Sequence, residues 1–213
     1  MIKYFRGDKE FLSNFYPSPI LVAYHNLVAP TAEHAFQSMK TYDKKEAKRI
    51  ISAGTPSEAK RIGRSVNLRD NWEDVKIQVM YKVIREKFKK NDKLGNMLVN
   101  THRHTLIEGN TWHDNYWGDC QCEKCINIKG KNILGKILMG VRFEMIVVSR
   151  LNFNMEYFVV ESNHRCVLCN KSNCRCVVCN NGDPYESVHI CFHCINKINE
   201  AYVELSKQDT FRE

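Results

Sequence analysis

The first 119 residues contain no cysteine, and no stretch of the 213-residue chain holds 18 consecutive apolar residues. The second absence excludes a transmembrane helix. Residues 1–6 lack the long apolar stretch of a secretory signal, so a cytoplasmic location is expected. No internal repeat or low-complexity segment is present, and with 43% apolar and 10% aromatic residues the chain is too apolar for disorder. A Walker-type phosphate loop is missing as well. Residues 130–136 approach its pattern, but Ile137 stands where Ser or Thr is required.

What is present is unevenly distributed. All ten cysteines fall between Cys120 and Cys194, seven of them between Cys166 and Cys194. In a chain without a signal peptide such clustering points to metal before disulfides. Residues 1–150 carry 26 Lys and Arg against 16 Asp and Glu, an excess of ten positive charges, whereas residues 151–213 carry 6 against 8. This asymmetry suits a phosphate or nucleic-acid partner for the larger part, and equally the ordinary solubility of solvated lysines.

Periodicity divides the chain into a helix-rich α+β domain over 1–148 and a connector with a cysteine-rich module over 149–213. Short strands are expected at 2–5 and 19–22. A helix capped by Thr31 should run from Ala32 to about Ile51, and another from Thr55 to Val66. Asn71 and Asp74 form a capping-box-like start to a core-facing helix ending near Lys90. A helix over 92–100, a strand at 105–108, a long polar loop over 109–130 and a helix over 131–145 follow. A strand at 157–160 is expected in the connector, and a closing helix at 195–205.

The module carries Cys166-x2-Cys169, Cys174-x-Cys176-x2-Cys179 and Cys191-x2-Cys194. A C-x2-C pair lets two thiolates reach one tetrahedral ion without backbone strain. Cys176-Val-Val-Cys179-Asn-Asn-Gly reads as a zinc knuckle. A hairpin and a C-x2-C at a helix start complete a treble-clef-like site of Cys176, Cys179, Cys191 and Cys194. Cys166, Cys169 and Cys174 form a second set, with His164 or His189 as fourth ligand. One or two structural zinc ions are expected there, and closed four-ligand sites do no chemistry. Within the long loop, Cys120, Cys122 and Cys125 form a third set, with His113 or a ligand from elsewhere as the fourth. As a closed site this is a structural clip; with only three ligands it would be catalytic.

Glu33, Gln37 and Lys40, spaced i, i+4, i+7, fall within about 60° of one another on a helix. That stripe also fits a solvated face with an ion pair. Polar residues wedged between aromatics recur in Phe11-Leu12-Ser13-Asn14-Phe15-Tyr16 and His113-Asp114-Asn115-Tyr116-Trp117-Gly118-Asp119. Gly130-Lys131-Asn132 opens a helix, where free N–H groups favour a phosphate.

In order along the chain these segments resemble the NADAR (YbiA-like) family. The resemblance is carried by Phe5-Arg6-Gly7, Leu12-Ser13-Asn14-Phe15-Tyr16-Pro17 and Ala32-Glu33-His34-Ala35-Phe36-Gln37-Ser38-Met39-Lys40. It continues through Arg69-x-x-Trp72-x-x-Val75-Lys76, Lys87-Phe88-x-x-Asn91, Leu106-Ile107-Glu108, Asp114-x-x-Trp117-Gly118 and the Gly130–Arg142 stretch. It covers residues 1–145, with the cysteine loop as an expansion between Gly118 and Gly130 and the zinc module outside it.

The resemblance implies a compact α+β N-glycosidase with no catalytic cofactor. Its substrates would be ADP-ribose attached to guanine, free or in DNA or RNA, or phosphoribosylaminopyrimidine intermediates of riboflavin synthesis. Cleaving such a bond develops positive charge on the ribose. A carboxylate beneath the sugar stabilises that charge, and a carboxylate also orients the attacking water. Glu33 and Asp114 are expected to share these roles. Lys40 would protonate or polarise the leaving base, or pair with Glu33. Trp117 and Trp72 offer faces for the base, although Trp72 also fits the core stripe. Arg6, Lys131 and Asn132 are the expected phosphate or ribose ligands, with Ser13, Asn14, Phe15, Gln37 and Gly118 completing the substrate site. The alternative is a non-catalytic ADP-ribose or nucleotide reader whose zinc module recruits a protein or nucleic-acid partner. The module's slight negative charge suits protein docking better than DNA or RNA.

Overall fold

A computed structural model describes residues 1–102, 104–125, 127–150, 159–162, 174–179 and 188–191. The chain divides into two units, Met1–Ser149 and Arg150–Glu213. In the first, a 3₁₀ turn (Gly7–Leu12) leads into the antiparallel hairpin β1 (Pro17–Val22) and β2 (Leu27–Thr31). Ser18, Ile20 and Val22 point inward and alternate with exposed neighbours, as a strand with one covered face requires.

β2 runs directly into α1 (Ala32–Ser38), where Thr31 accepts the His34 N–H as the expected N-cap. The single long helix expected over 32–51 is instead two. Arg69 takes the free carbonyls at the end of α1, its N–H bonding Lys40 O at 2.8 Å and its guanidinium Met39 O at 3.3 Å. Asp43 then caps α2 (Lys44–Ile51) through Lys45 N–H. Such side-chain competition for backbone groups breaks the helix where periodicity alone would continue it.

α3 (Pro56–Ile62) follows its Thr55 cap and ends short of Val66. α4 (Trp72–Lys89) lacks the expected side-chain cap, because Asn71 Oδ1 accepts from Tyr42 and Arg69 instead. α5 (Asp92–Val99) is capped by Asn91. The expected strands at 2–5 and 105–108 reduce to one parallel bridge, Ile2 with Leu106, extended by N–H bonds to Thr105 O and Ile2 O. The long loop contains two short parallel strands, β3 (Gly109–Asn110) and β4 (Asp119–Cys120), and α6 (Ile133–Arg150) closes the unit.

In the second unit, β5 (Val159–Ser162), β6 (Cys174–Cys179) and β7 (Val188–Cys191) form an antiparallel sheet in that order. Register pairs Cys176 with Cys191 and Cys174 with Ser162. Cys166, Cys169, Cys194, His164 and the closing helix expected at 195–205 lie outside the described residues.

One apolar core joins α1, α4, α5 and α6 to the hairpin, centred on Leu12, Ile20, Phe36, Ile84, Phe88 and Leu138. Phe88 is fully buried and meets Phe11 edge to face, ring centroids 6.4 Å apart. Phe88→Ala is expected to lower the unfolding free energy by about 3–5 kcal/mol. Leu68→Ala, at an exposed site, should change it by less than about 0.5 kcal/mol. Urea unfolding of the two variants checks the contrast.

Candidate active site

All seven residues of α1 are buried, which removes the solvated-face reading of its polar stripe. Glu33 is 5% exposed and accepts a 2.8 Å hydrogen bond from Gln37 Nε2. Burial pushes the Glu33 carboxyl above its ordinary range, against the pull of Gln37 and of the Lys60, Lys40 and Arg64 cations. Lys40 stands beyond the end of the helix and donates to Gly63 O at 3.1 Å. Burial lowers its pKa, and the Glu33 charge opposes that fall.

Glu33 and Gln37 open onto a cleft of about 550 Å³. Its walls are the Ser13–Phe15 turn, Lys60 and Arg61 of α3 with Arg64 just beyond it, and Glu108 and Asp114 with the indoles of Trp112 and Trp117. A second lobe of about 430 Å³ shares several of these walls and adds Lys40, Trp72 and Lys76. Phe15 and Trp112, 39% and 54% exposed, present aromatic faces where the cleft meets solvent.

Glu108 is the acid that sequence reasoning left out of the site. Its backbone is clamped, N–H to Asn132 Oδ1 at 3.0 Å and carbonyl accepting from Asp119 N–H at 2.9 Å. Burial, helped by the nearby Asp114 charge, pushes its carboxyl up to about 7. Lys87, also buried, is pulled down to about 7 and donates to Ser13 O at 2.7 Å. Asp114 is held differently. Its Oδ1 accepts from Tyr116 N–H at 3.1 Å and Trp117 N–H at 2.8 Å, an Asx turn that leaves Oδ2 for other partners.

Three buried oxygens have no hydrogen-bond partner among the described residues: Asn14 Oδ1, Gln37 Oε1 and Glu108 Oε2. All three belong to residues lining the same cleft. A buried polar atom left unpaired costs about 1–3 kcal/mol. Their convergence marks a place prepared for a ligand rich in hydroxyl or amino donors.

Of the residues expected to form the site, Ser13, Asn14, Phe15, Glu33, Gln37, Asp114 and Trp117 line the main lobe, and Lys40 and Trp72 the second. Trp72 also belongs to the core, 5.2 Å from the Phe36 ring. Gly118 acts by its lack of a side chain, since a Cβ there would strike Glu108 O. Arg6, Lys131 and Asn132 are not among the lining residues. Arg6 lies over the Tyr4 ring, Lys131 over Tyr116, and the Asn132 amide is taken by Glu108 N–H and Leu106 O. The basic residues that do line the cleft, Lys60, Arg61 and Arg64, carry a readable signal only in the inward pattern of Ala59 and Ile62 beside them.

Beyond Asp114, the loop brings His113, Cys120, Cys122 and Cys125 together, their donor atoms all within 4.8 Å of one another. His113 Nδ1 lies 3.3 Å from Cys122 Sγ and 3.4 Å from Cys125 Sγ. The cluster fits a metal ion such as zinc and contains the histidine that spacing had offered as one of two alternatives.

Glu108 provides a pH test. Its folded value of about 7 exceeds the ordinary 4.5, so the buried acid contributes stability below about pH 4.5 that is lost as pH rises towards 7. Glu108→Gln escapes that loss. Its stability relative to the parent chain should grow across this window by about 3 kcal/mol and level off above it. Urea midpoints measured against pH check this, and a flat difference would refute the assignment of a buried acid.

The NADAR domain family model matches residues 4–146. N-glycosidase YbiA of Shigella flexneri serotype 5b (strain 8401) and of Escherichia coli (strain K12) are 42% and 41% identical to the chain over 137 residues. These matches cover 63% of this chain and 81% of each relative. The chloroplastic riboflavin biosynthesis protein PYRR of Zea mays is 36% identical over 149 residues, 63% of this chain and 23% of that protein. The NMR structure of the E. coli protein YbiA matches with a TM-score of 0.59 at 35% identity, covering 73% of this chain and 92% of that one. Every acid and base lining the cleft lies inside the matched span, and the chain belongs to the NADAR family.

Proposed function

We propose that this NADAR-family N-glycosidase hydrolyses the bond between a phosphorylated ribose and a nitrogenous base, removing ADP-ribose from guanine in a nucleotide or nucleic acid. The observation that carries this reading is the convergence of Glu33, Glu108 and Asp114 with three unpaired acceptor oxygens in one cleft. In the reaction the C1′–N bond breaks, its electron pair leaves with the base, and water adds to C1′ while giving up a proton. Glu33 and Asp114 share two tasks, facing the developing positive charge of the ribose and orienting the water. Glu108, with a pKa of about 7, is the acid suited to protonating the leaving base at neutral pH. Lys40 supplies positive charge to Glu33 and polarises a base seated in the second lobe. Gln37 and Asn14 accept from sugar or base donors, Ser13 shapes their turn, and Phe15, Trp112 and Trp117 stack on base faces.

Lys60, Arg61 and Arg64 take the phosphate role in this reading, in place of Arg6, Lys131 and Asn132, because they line the cleft. A second reading, cleavage of a phosphoribosylaminopyrimidine, is favoured by the riboflavin biosynthesis proteins of Zea mays and Vibrio vulnificus among the relatives. The second unit is proposed to be a treble-clef-like module with one or two structural zinc ions, supported by the pairing of Cys176 with Cys191 across β6 and β7. Its role would be stabilisation or protein docking. Among the described residues no helix is long and apolar enough to cross a membrane, and the free thiols of Cys120, Cys122 and Cys125 suit a reducing cytoplasm.

Purified protein should release free ADP-ribose from an ADP-ribosylated oligonucleotide, leaving unmodified guanine in the strand, faster than it breaks down a phosphoribosylaminopyrimidine, and the opposite order supports the second reading. Binding without cleavage of either supports a non-catalytic reader. Glu33→Gln and Asp114→Asn should each lower kcat by about 10²–10⁴. Full activity in both folded variants refutes their roles. Lys60→Ala with Arg64→Ala should raise KM about tenfold, as expected for groups that grip phosphate, with a smaller fall in kcat from the charge that Glu33 loses beside it.

A further inference from the structure

We propose that His113, Cys120, Cys122 and Cys125 hold a zinc ion that locks the loop carrying Trp112, Asp114 and Trp117 against the cleft, so that metal loading sets the competence of the site. The consequence for activity rests on the N-glycosidase reading; the metal site and its hold on the loop do not.

Around a tetrahedral zinc, neighbouring sulfur and nitrogen donors stand about 3.3–3.8 Å apart. The approaches of 3.3 and 3.4 Å between His113 Nδ1 and two thiols, and the 4.8 Å limit on all donor pairs, match that arrangement with little adjustment. Three thiolates and an imidazole form a soft donor set that selects zinc over magnesium or calcium. With all four positions supplied by protein, no place remains for a metal-bound water, so the ion holds structure.

The loop needs such a tether. Among the described residues of 109–130 only Cys120 and Cys125 are fully buried apolar side chains, with Trp117 packed partly against the core, so apolar burial holds Asp114 mainly from the Trp117 side. His113 stands between Trp112 and Asp114 with φ +67°, a left-handed conformation that a residue with a Cβ rarely keeps without a constraint. A second connection runs through Cys120. Its N–H donates to Asn115 Oδ1 at 2.8 Å, and β3–β4 pairing sets it beside Asn110. Asn110 Oδ1 accepts from Trp112 N–H and Asp114 N–H, both at 3.2 Å, and its amide donates to Asp114 O at 2.7 Å. Metal ligands therefore bracket Asp114 from both sides, through one peptide bond at His113 and through Asn110 and Asn115 at Cys120.

The test uses the full chain, with zinc content and backbone amide exchange measured alongside N-glycoside cleavage. Cys122→Ser and His113→Ala should each lower bound zinc by about one equivalent, the remaining zinc belonging to the second unit. His113→Cys should restore the lost equivalent. In the zinc-poor variants the amides of Tyr116 and Trp117, whose acceptor is Asp114 Oδ1, should exchange about tenfold faster or more, and N-glycoside cleavage should fall comparably. Exchange in α4 and α6 stays slow in a folded variant, which separates loop release from misfolding. Unchanged zinc content in both variants overturns the site. Loss of zinc with unchanged exchange at Tyr116 and Trp117 overturns the lock. A parent chain that cleaves no N-glycoside overturns the functional reading, while zinc content and exchange still decide the lock.

Discussion

The fold depends on burying a short helix with unusually polar contents. α1 places Glu33, His34, Gln37 and Ser38 out of solvent, and each needs a partner inside. His34 bonds Thr31 Oγ1 at 2.8 Å on one ring nitrogen and Ala53 O at 3.2 Å on the other. Ser38 Oγ donates to Ala35 O, while Ser38 O meets the His25 ring. Gln37 spends its amide N–H on Glu33 and keeps its oxygen unpaired at the cleft. The helix is thus fixed by polar bonds on its inner sides, and the unpaired Gln37 oxygen lies buried against Gly63 beside the cleft.

Around that helix the electrostatics are balanced at a distance more than by contact. Glu33, Glu108 and Asp114 line one cleft, where burial raises the proton affinity of Glu33 and Glu108 and the like charges of Asp114 and Glu33 add to it at Glu108. Lys60, Lys40 and Arg64 offset this at Glu33, and Lys60 and Arg6 at Glu108. Burial is the largest influence on both acids and raises both, and nearby cations oppose it in each case.

Much of this was legible in residue order. Thr31 and Thr55 announce their helices through capping chemistry that acts over three residues. The stripe of α4 reports burial directly. Glu33, Gln37, Asp114 and Trp117 were readable through the resemblance of their motifs. The break after Ser38 was not, because it depends on Arg69, some thirty residues away, capturing the carbonyls of Met39 and Lys40. Asn71 lost its cap to Tyr42 and Arg69 for the same reason. The basic face of α3 resembled any solvated helix until the chain was folded around the cleft.

By itself the sequence determined the starts of α1, α3 and α5, the inward face of α4, the family and the clustering of thiols, because capping, amphipathic spacing and ligand spacing are local properties of a chain. The tertiary structure decided which polar groups lie together and which lose water. It made Glu108 an acid near neutrality, brought Lys60, Arg61 and Arg64 to the cleft in place of Arg6, Lys131 and Asn132, and joined His113 to three cysteines. Those outcomes depend on desolvation and on contacts between segments far apart in the chain, and neither exists before the chain has folded.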